Sequence, residues 1–197
     1  MKQLKLLEKE NGLYTFSFRS SLLGTMRHFQ ILLPDQLSNK TPVHVIYVLH
    51  GAGCDHTVWT THTKIIAHAE CKNIALVFPE GGAYSWYLDS PIRKSWKTES
   101  WLMQELIPLV EALFPIGQCR DRRHMMGASM GGHGAMTLAE KYPDFFESVS
   151  SIFGILKLTL HRREESRVSQ VLGDWEDFPE RWKANCAWEL APSFLQN

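Results

Sequence analysis

The stretch His124-Met-Met-Gly127-Ala-Ser129-Met-Gly131-Gly132-His133-Gly134, continuing through Ala135 to Lys141, decides the fold. His124 to Ala128 is a short apolar run of strand length. Met130 to Lys141 reads as a helix that ends before Pro143, because the residue preceding a proline is pushed out of the helical region. Between them, Gly127 to Gly131 fits G-x-S-x-G, a turn so tight that its serine takes a strained backbone conformation and needs small neighbours on both sides. The bare pattern arises by chance in about one chain in fifteen of this length, so the strand before it and the helix after it carry the weight. Free N–H groups and the dipole at a helix N-terminus favour the negative charge that forms on an attacked carbonyl. Ser129 is therefore the candidate nucleophile and Met130 N–H a candidate oxyanion donor. The structural alternative is a glycine-rich helix start that merely packs closely on a sheet.

Working outward, Val43 to Leu49, Ile74 to Phe78 and, more weakly, Val149 to Phe153 are also continuous apolar runs, the pattern of strands covered on both faces in a parallel sheet. Helices fall between them. Thr61 to Ala69 predicts a short one, and Ser100 to Phe114 a longer one with Leu102, Leu106, Leu109, Val110 and Leu113 on one stripe and a kink or break at Pro108. Leu13 to Arg19 and Arg27 to Leu33, split by a turn near Gly24 and closed by Pro34-Asp35, predict an antiparallel hairpin ahead of the parallel part. Strand and helix alternation of this kind indicates α/β architecture with right-handed crossovers. Past Gly154 the pattern loses definition: His161 to Arg167 reads as a solvated charged segment, Val168 to Leu172 and Pro179 to Asn185 as short helices, and no further strand is visible.

A chain of 197 residues with 44% hydrophobic content supports one buried core, so residues 1–197 are read as a single domain. Lys plus Arg equals Asp plus Glu at 21 each, which leaves no basic field for nucleic acid or an anionic membrane. The N-terminal residues have charges spaced through their leucines and no apolar run of signal-peptide length, so a soluble, cytoplasmic protein is expected. Cys54, Cys71, Cys119 and Cys186 lack a C-x-x-C pair and read as ordinary thiols. His50, His56, His62 and His68 recur every six residues, which does not align them on one helix face, and no H-E-x-x-H occurs. No metal and no cofactor is expected.

A second oxyanion donor has to come from another loop at the carboxyl edge of the sheet, where sites gather in parallel architectures. His50-Gly51-Ala52-Gly53 follows the Val43 to Leu49 strand directly, and its glycines let the backbone turn N–H groups inward, which points to Ala52 N–H as the partner of Met130 N–H. Phe78 to Pro91 leaves the next strand as an aromatic loop. There Trp86 and Tyr87 either line a substrate pocket or pack their rings on the sheet edge, since aromatic anchors serve both ends.

The combination YVLHGAGCDHTVW, FPEGGAYSWYLDSP, ELIPLVEALFP and MMGASMGGHGAMTLAEKYPDFF resembles the esterase D group of α/β-hydrolases, which includes tributyrin esterases, S-formylglutathione hydrolases, feruloyl esterases and mycolyl transferases. The likeness runs in order from about Arg27 to Phe153, and SWYLDSP looks most like the tributyrin type. It implies a three-layer α/β-hydrolase sandwich with a mostly parallel sheet, Ser129 as nucleophile, and the backbone of Ala52 and Met130 as oxyanion hole. The activity implied is hydrolysis of short-chain carboxylic esters or thioesters through an acyl-enzyme, without cofactor.

The chain departs from that pattern after the elbow. The fold orders its residues Ser, then Asp or Glu, then His, and after Ser129 the only histidines are His133, on the elbow's own helix, and His161. Asp144 and Glu147 are acids in the helix-to-strand turn, away from the site. The resemblance implies a further strand-rich part carrying acid and base, so the expectation is a sheet lacking its last strands and final helix, with those residues beyond 197. An open apolar edge at Val149 to Phe153 follows, suited to an oligomer or a partner strand. The alternatives are a catalytically silent chain that only binds, or a transferase that passes the acyl group to an alcohol or thiol.

Overall fold

The structure, a computed structural model, describes residues 4–35, 37, 42–70, 72–161 and 167–194. Seven strands form one sheet: β1 (Lys5–Glu10), β2 (Leu13–Arg19), β3 (Met26–Leu32), β4 (His44–Leu49), β5 (Ile74–Pro79), β6 (Arg123–Ala128) and β7 (Ser148–Ile152), in the spatial order β1-β2-β3-β5-β4-β6-β7. The first three strands pair antiparallel and β3 meets β5 antiparallel, while β5, β4, β6 and β7 run parallel. This is the α/β-hydrolase arrangement, with the expected hairpin leading into a parallel half. β1 was not expected: all six of its residues are exposed and its Lys-Leu-Leu-Glu-Lys-Glu sequence does not alternate, so only pairing with β2 makes it a strand.

Alternation along β4 explains the layering. Val45, Tyr47 and Leu49 enter the larger core, whereas Val48 and the flanking Ile46 join a smaller cluster with Leu32, Ala69, Leu76 and Phe78 on the other face. That smaller face is covered by α1 (Val58–His62) and α2 (Ile65–Ala69). A single helix over Thr61 to Ala69 is thus corrected to two. Thr63 takes an extended conformation, and its hydroxyl accepts the N–H of Ile65 at 3.1 Å, ending one helix and starting the next.

The larger face carries α3 (Thr98–Trp101), a π-helical turn over Leu102–Leu106, α4 (Ile107–Leu113) and α5 (Met130–Lys141). The break expected at Pro108 is the π turn itself. Proline lacks an N–H and would clash with the carbonyl four residues back, so the helix widens just before it and Ile107 N–H bonds Leu102 O. Widening turns Glu105 inward, where its carboxylate accepts from Ser20 Oγ at 2.5 Å and from Ser21 N–H at 3.1 Å and ties down the β2–β3 connection.

Beyond β7 the chain forms α6 (Ser169–Leu172), α7 (Pro179–Lys183) and α8 (Ala187–Phe194). The first two were expected. The third packs on α5, anchored where Trp188 N–H reaches Leu156 O at 3.0 Å. Cys54, Cys119 and Cys186 are free thiols; Cys71 and residues 162–166 of the charged segment lie outside the described residues. None of the helices described is long and apolar enough to cross a membrane.

Candidate active site

Ser129 stands between β6 and α5 with φ 54° and ψ −116°, a conformation that costs an L-residue of order 1–3 kcal/mol and persists only where its surroundings over-determine it. They do so from three sides. Ser129 N–H donates to Ile152 O of β7 at 2.9 Å, and Ser129 O accepts from His133 N–H at 3.0 Å. A Cβ on Gly127 would sit 2.3 Å from Gly131 O, and one on Gly131 would sit 2.5 Å from Leu49 O and 2.6 Å from His50 O. The glycines are required by close approach of backbone to backbone, which packs the first turn of α5 against the end of β4.

That packing also places the His50–Cys54 loop beside the serine: a Cβ built on Gly51 would lie 3.6 Å from Ser129 Cβ. The loop is heavily braced. Gly81 N–H donates to His50 Nε2 at 3.1 Å, which fixes the proton on Nδ1, and Nδ1 then donates to Gly51 O at 2.8 Å. Burial holds the His50 pKa below its ordinary value, so the ring is a neutral strut. Tyr87 Oη accepts from His50 N–H at 2.9 Å and donates to His50 O at 3.2 Å. Gly53, at φ +75°, donates its N–H to Ala83 O at 2.7 Å, and Trp59 Nε1 donates to Leu49 O at 3.1 Å. With those groups engaged, the N–H groups of Ala52 and Met130 have no acceptor among the described residues.

Of the two roles open to Trp86 and Tyr87, pocket wall or packed anchor, their burial fits the packed one. Both rings are buried, with 3% and 0% of their surface exposed, and both residues take positive φ. Trp86 meets His133 edge-on at 5.5 Å, and Tyr87 packs where a Cβ on Gly134 would strike its ring at 2.7 Å. They are core members that support the loop and the elbow helix rather than an open pocket wall.

No imidazole hydrogen-bonds Ser129 Oγ among the described residues. His133 is fully buried beneath the elbow, with Nε2 on Asn185 O at 2.9 Å, and burial pushes its pKa down to about 4. His161 follows a turn at Leu158–Leu160 and gives its N–H to Leu158 O at 2.8 Å. Asp144 is exposed in the α5–β7 turn, and Glu147 is paired with Arg120 Nη1 at 2.5 Å. Nor is any group of three or more His, Cys, Asp or Glu placed to hold a metal ion among those residues.

A family model described as "Putative esterase" matches residues 20–197. The chain belongs to this esterase family. Among curated members, an esterase of Mycobacterium tuberculosis is 32% identical over 154 residues, which is 75% of this chain and 33% of that protein. An S-formylglutathione hydrolase of Paracoccus denitrificans is 30% identical over 179 residues, 81% of this chain and 63% of that one. The chain thus spans about one third to two thirds of the length of these esterase relatives. Among solved structures, an S-formylglutathione hydrolase from Agrobacterium tumefaciens superposes with a TM-score of 0.81 at 23% identity, covering 96% of this chain and 74% of that one. One from Staphylococcus aureus gives 0.75 at 17%, covering 98% and 75%. At those identities the likeness is one of fold.

Proposed function

We propose that this chain acts as a serine carboxylesterase on short-chain carboxylic esters or thioesters. The observation that carries the reading is the strained Ser129 with the Gly51 backbone against it and two neighbouring N–H groups, Ala52 and Met130, that have no acceptor among the described residues. Such donors stabilise an oxyanion most when preorganised, because nothing has to reorient as charge develops. Ser129 Oγ bonds to the ester carbon and gives its proton to a base. The leaving alcohol or thiol takes that proton, and water then cleaves the acyl-serine ester. Among the described residues no imidazole hydrogen-bonds Ser129 Oγ, and His133 is neutral, buried and hydrogen-bonded elsewhere.

The test is hydrolysis of nitrophenyl butyrate by the 197-residue chain with Ser129→Ala beside it. Turnover that the substitution abolishes supports the esterase reading, and product analysis with added alcohol separates water from an alcohol as acyl acceptor. A second reading, a chain that binds acyl compounds without turning them over, is favoured by the absence, among the described residues, of an imidazole on Ser129 Oγ. It predicts the same background rate for both proteins. Loss of a triad base costs about a million-fold in kcat in the subtilisin case, so the two outcomes are far apart.

A further inference from the structure

We propose that Phe153 is the apolar wall of the substrate site, contacting the hydrocarbon part of the ester; this rests on the esterase reading above. Phe153 follows Ile152, whose carbonyl holds Ser129 N–H at 2.9 Å, so covalent geometry keeps its Cα within about 6 Å of the Ser129 nitrogen. The residue is 92% exposed, more than any other large hydrophobic among the described residues. Its backbone is left-handed at φ 50°, an outlier for a bulky residue.

Neither property is repaid by packing, and the surroundings hold the segment in place. A Cβ on Gly154 would meet Ser151 Oγ at 2.0 Å and Gly132 C at 2.9 Å, so the chain at 152–154 is wedged against the first turn of α5. Ser151 Oγ locks it by donating to Gly132 O at 3.1 Å. A strained, exposed aromatic residue whose Cα is held within about 6 Å of the Ser129 nitrogen fits contact with an apolar ligand better than accident, since strain of this kind clusters at ligand clamps and active sites. A wall touching one side of a hydrocarbon captures about half of the roughly fourfold per methylene that full burial gives, or about twofold.

The experiment compares kcat/KM across nitrophenyl acetate, butyrate and hexanoate, and across acetates of methanol to butanol, for the native chain, Phe153→Ser and Phe153→Gly. The expected result is a rise of about twofold per methylene along one series, which shows whether the ring faces the acyl or the alcohol side, and its flattening in both variants. Phe153→Gly should melt no lower than the native chain, because glycine takes the left-handed conformation without strain. Slopes that both variants leave unchanged overturn the proposal. Saturation-transfer NMR with hexanoate and butanol on Ser129→Ala, with and without Phe153→Ser, reads binding independently of turnover. At least a threefold loss of methyl signal supports the wall, and an unchanged signal overturns it. Absent turnover with that loss present would sink the esterase reading alone, whereas turnover with unaltered slopes would sink the wall alone.

Discussion

Replacing Tyr87 with Phe removes one oxygen and tests how the His50–Cys54 loop, the proposed second side of the oxyanion site, is held. That oxygen accepts His50 N–H at 2.9 Å and donates to His50 O at 3.2 Å, in a position where neither the Tyr87 ring nor His50 is open to water. The substitution fills the same volume, so it isolates the polar loss. Two buried backbone groups lose their partner at about 1–3 kcal/mol each, giving about 2–4 kcal/mol once partial relaxation is allowed. For a chain of this size, about 2–4 °C per kcal/mol places the drop in Tm at roughly 4–16 °C. Slackening His50 also frees Gly51 and Ala52 to move, and loss of a whole oxyanion donor costs about 100-fold or more in kcat, so a displaced one should cost about tenfold. Thermal melts and nitrophenyl butyrate kinetics read the two effects on the same samples. An unchanged Tm together with a raised KM is the signature of a side chain that lines the substrate pocket, and it would refute the bracing argument.

Two further predictions concern the scaffold. Arg123 gives Nε and Nη2 to the buried carboxylate of Glu111 at 2.8 and 2.7 Å, and that carboxylate also accepts from Tyr47 Oη and Gln118 N–H at 3.0 Å each. Arg123→Met should cost about 3 kcal/mol in urea unfolding by stranding a buried charge, with Glu111→Leu restoring at least half; a loss under about 1 kcal/mol would refute this. His133, with a pKa lowered by burial to about 4 from 6.5, stays neutral in the folded chain while the unfolded chain takes up a proton. Its contribution is therefore present above pH 6.5 and lost as pH falls toward 4, by about 3 kcal/mol in all. Stability of the native chain should fall more steeply across that window than that of His133→Leu, and parallel curves would contradict the assignment.

How much of this was legible in the sequence depends on what each feature rests on. The parallel strands and the elbow helix were readable because their determinants are local: continuous apolar runs, a proline after Lys141, and glycines at the positions where backbone meets backbone. β1 was not readable, since its residues favour a strand only once β2 is beside them. The same holds for Tyr87. Nothing in SWYLD distinguishes a pocket wall from a core strut, because the choice turns on positive φ at Trp86 and Tyr87, and non-glycine residues carry no sequence mark of that conformation. Phe153 escaped for the same reason: as the last residue of an apolar run it reads as strand, whereas β7 stops at Ile152 and the chain turns left-handed.

The candidate site divides along a related line. The proposed oxyanion half consists of backbone N–H groups on the elbow and the His50 loop, which are held by the β4–β6–β7 register and by contacts within the described residues. Its proton-transfer half needs a side chain delivered to Ser129 Oγ, and no element described here delivers one. Substitutions such as Gly131→Ala and Tyr87→Phe act on the first half, and so should change stability whether or not a base is present. Ser129→Ala reads the two halves together, and it relieves no backbone strain, because alanine is no freer than serine at φ 54°. Ser129→Gly does relieve it. If the elbow's strain is held by the surrounding glycines as argued, Ser129→Gly should be more stable than Ser129→Ala by about 1 kcal/mol or more, an amount urea unfolding resolves. Equal stability would mean that Ser129 is not strained in solution, and the preorganised oxyanion site would lose its basis.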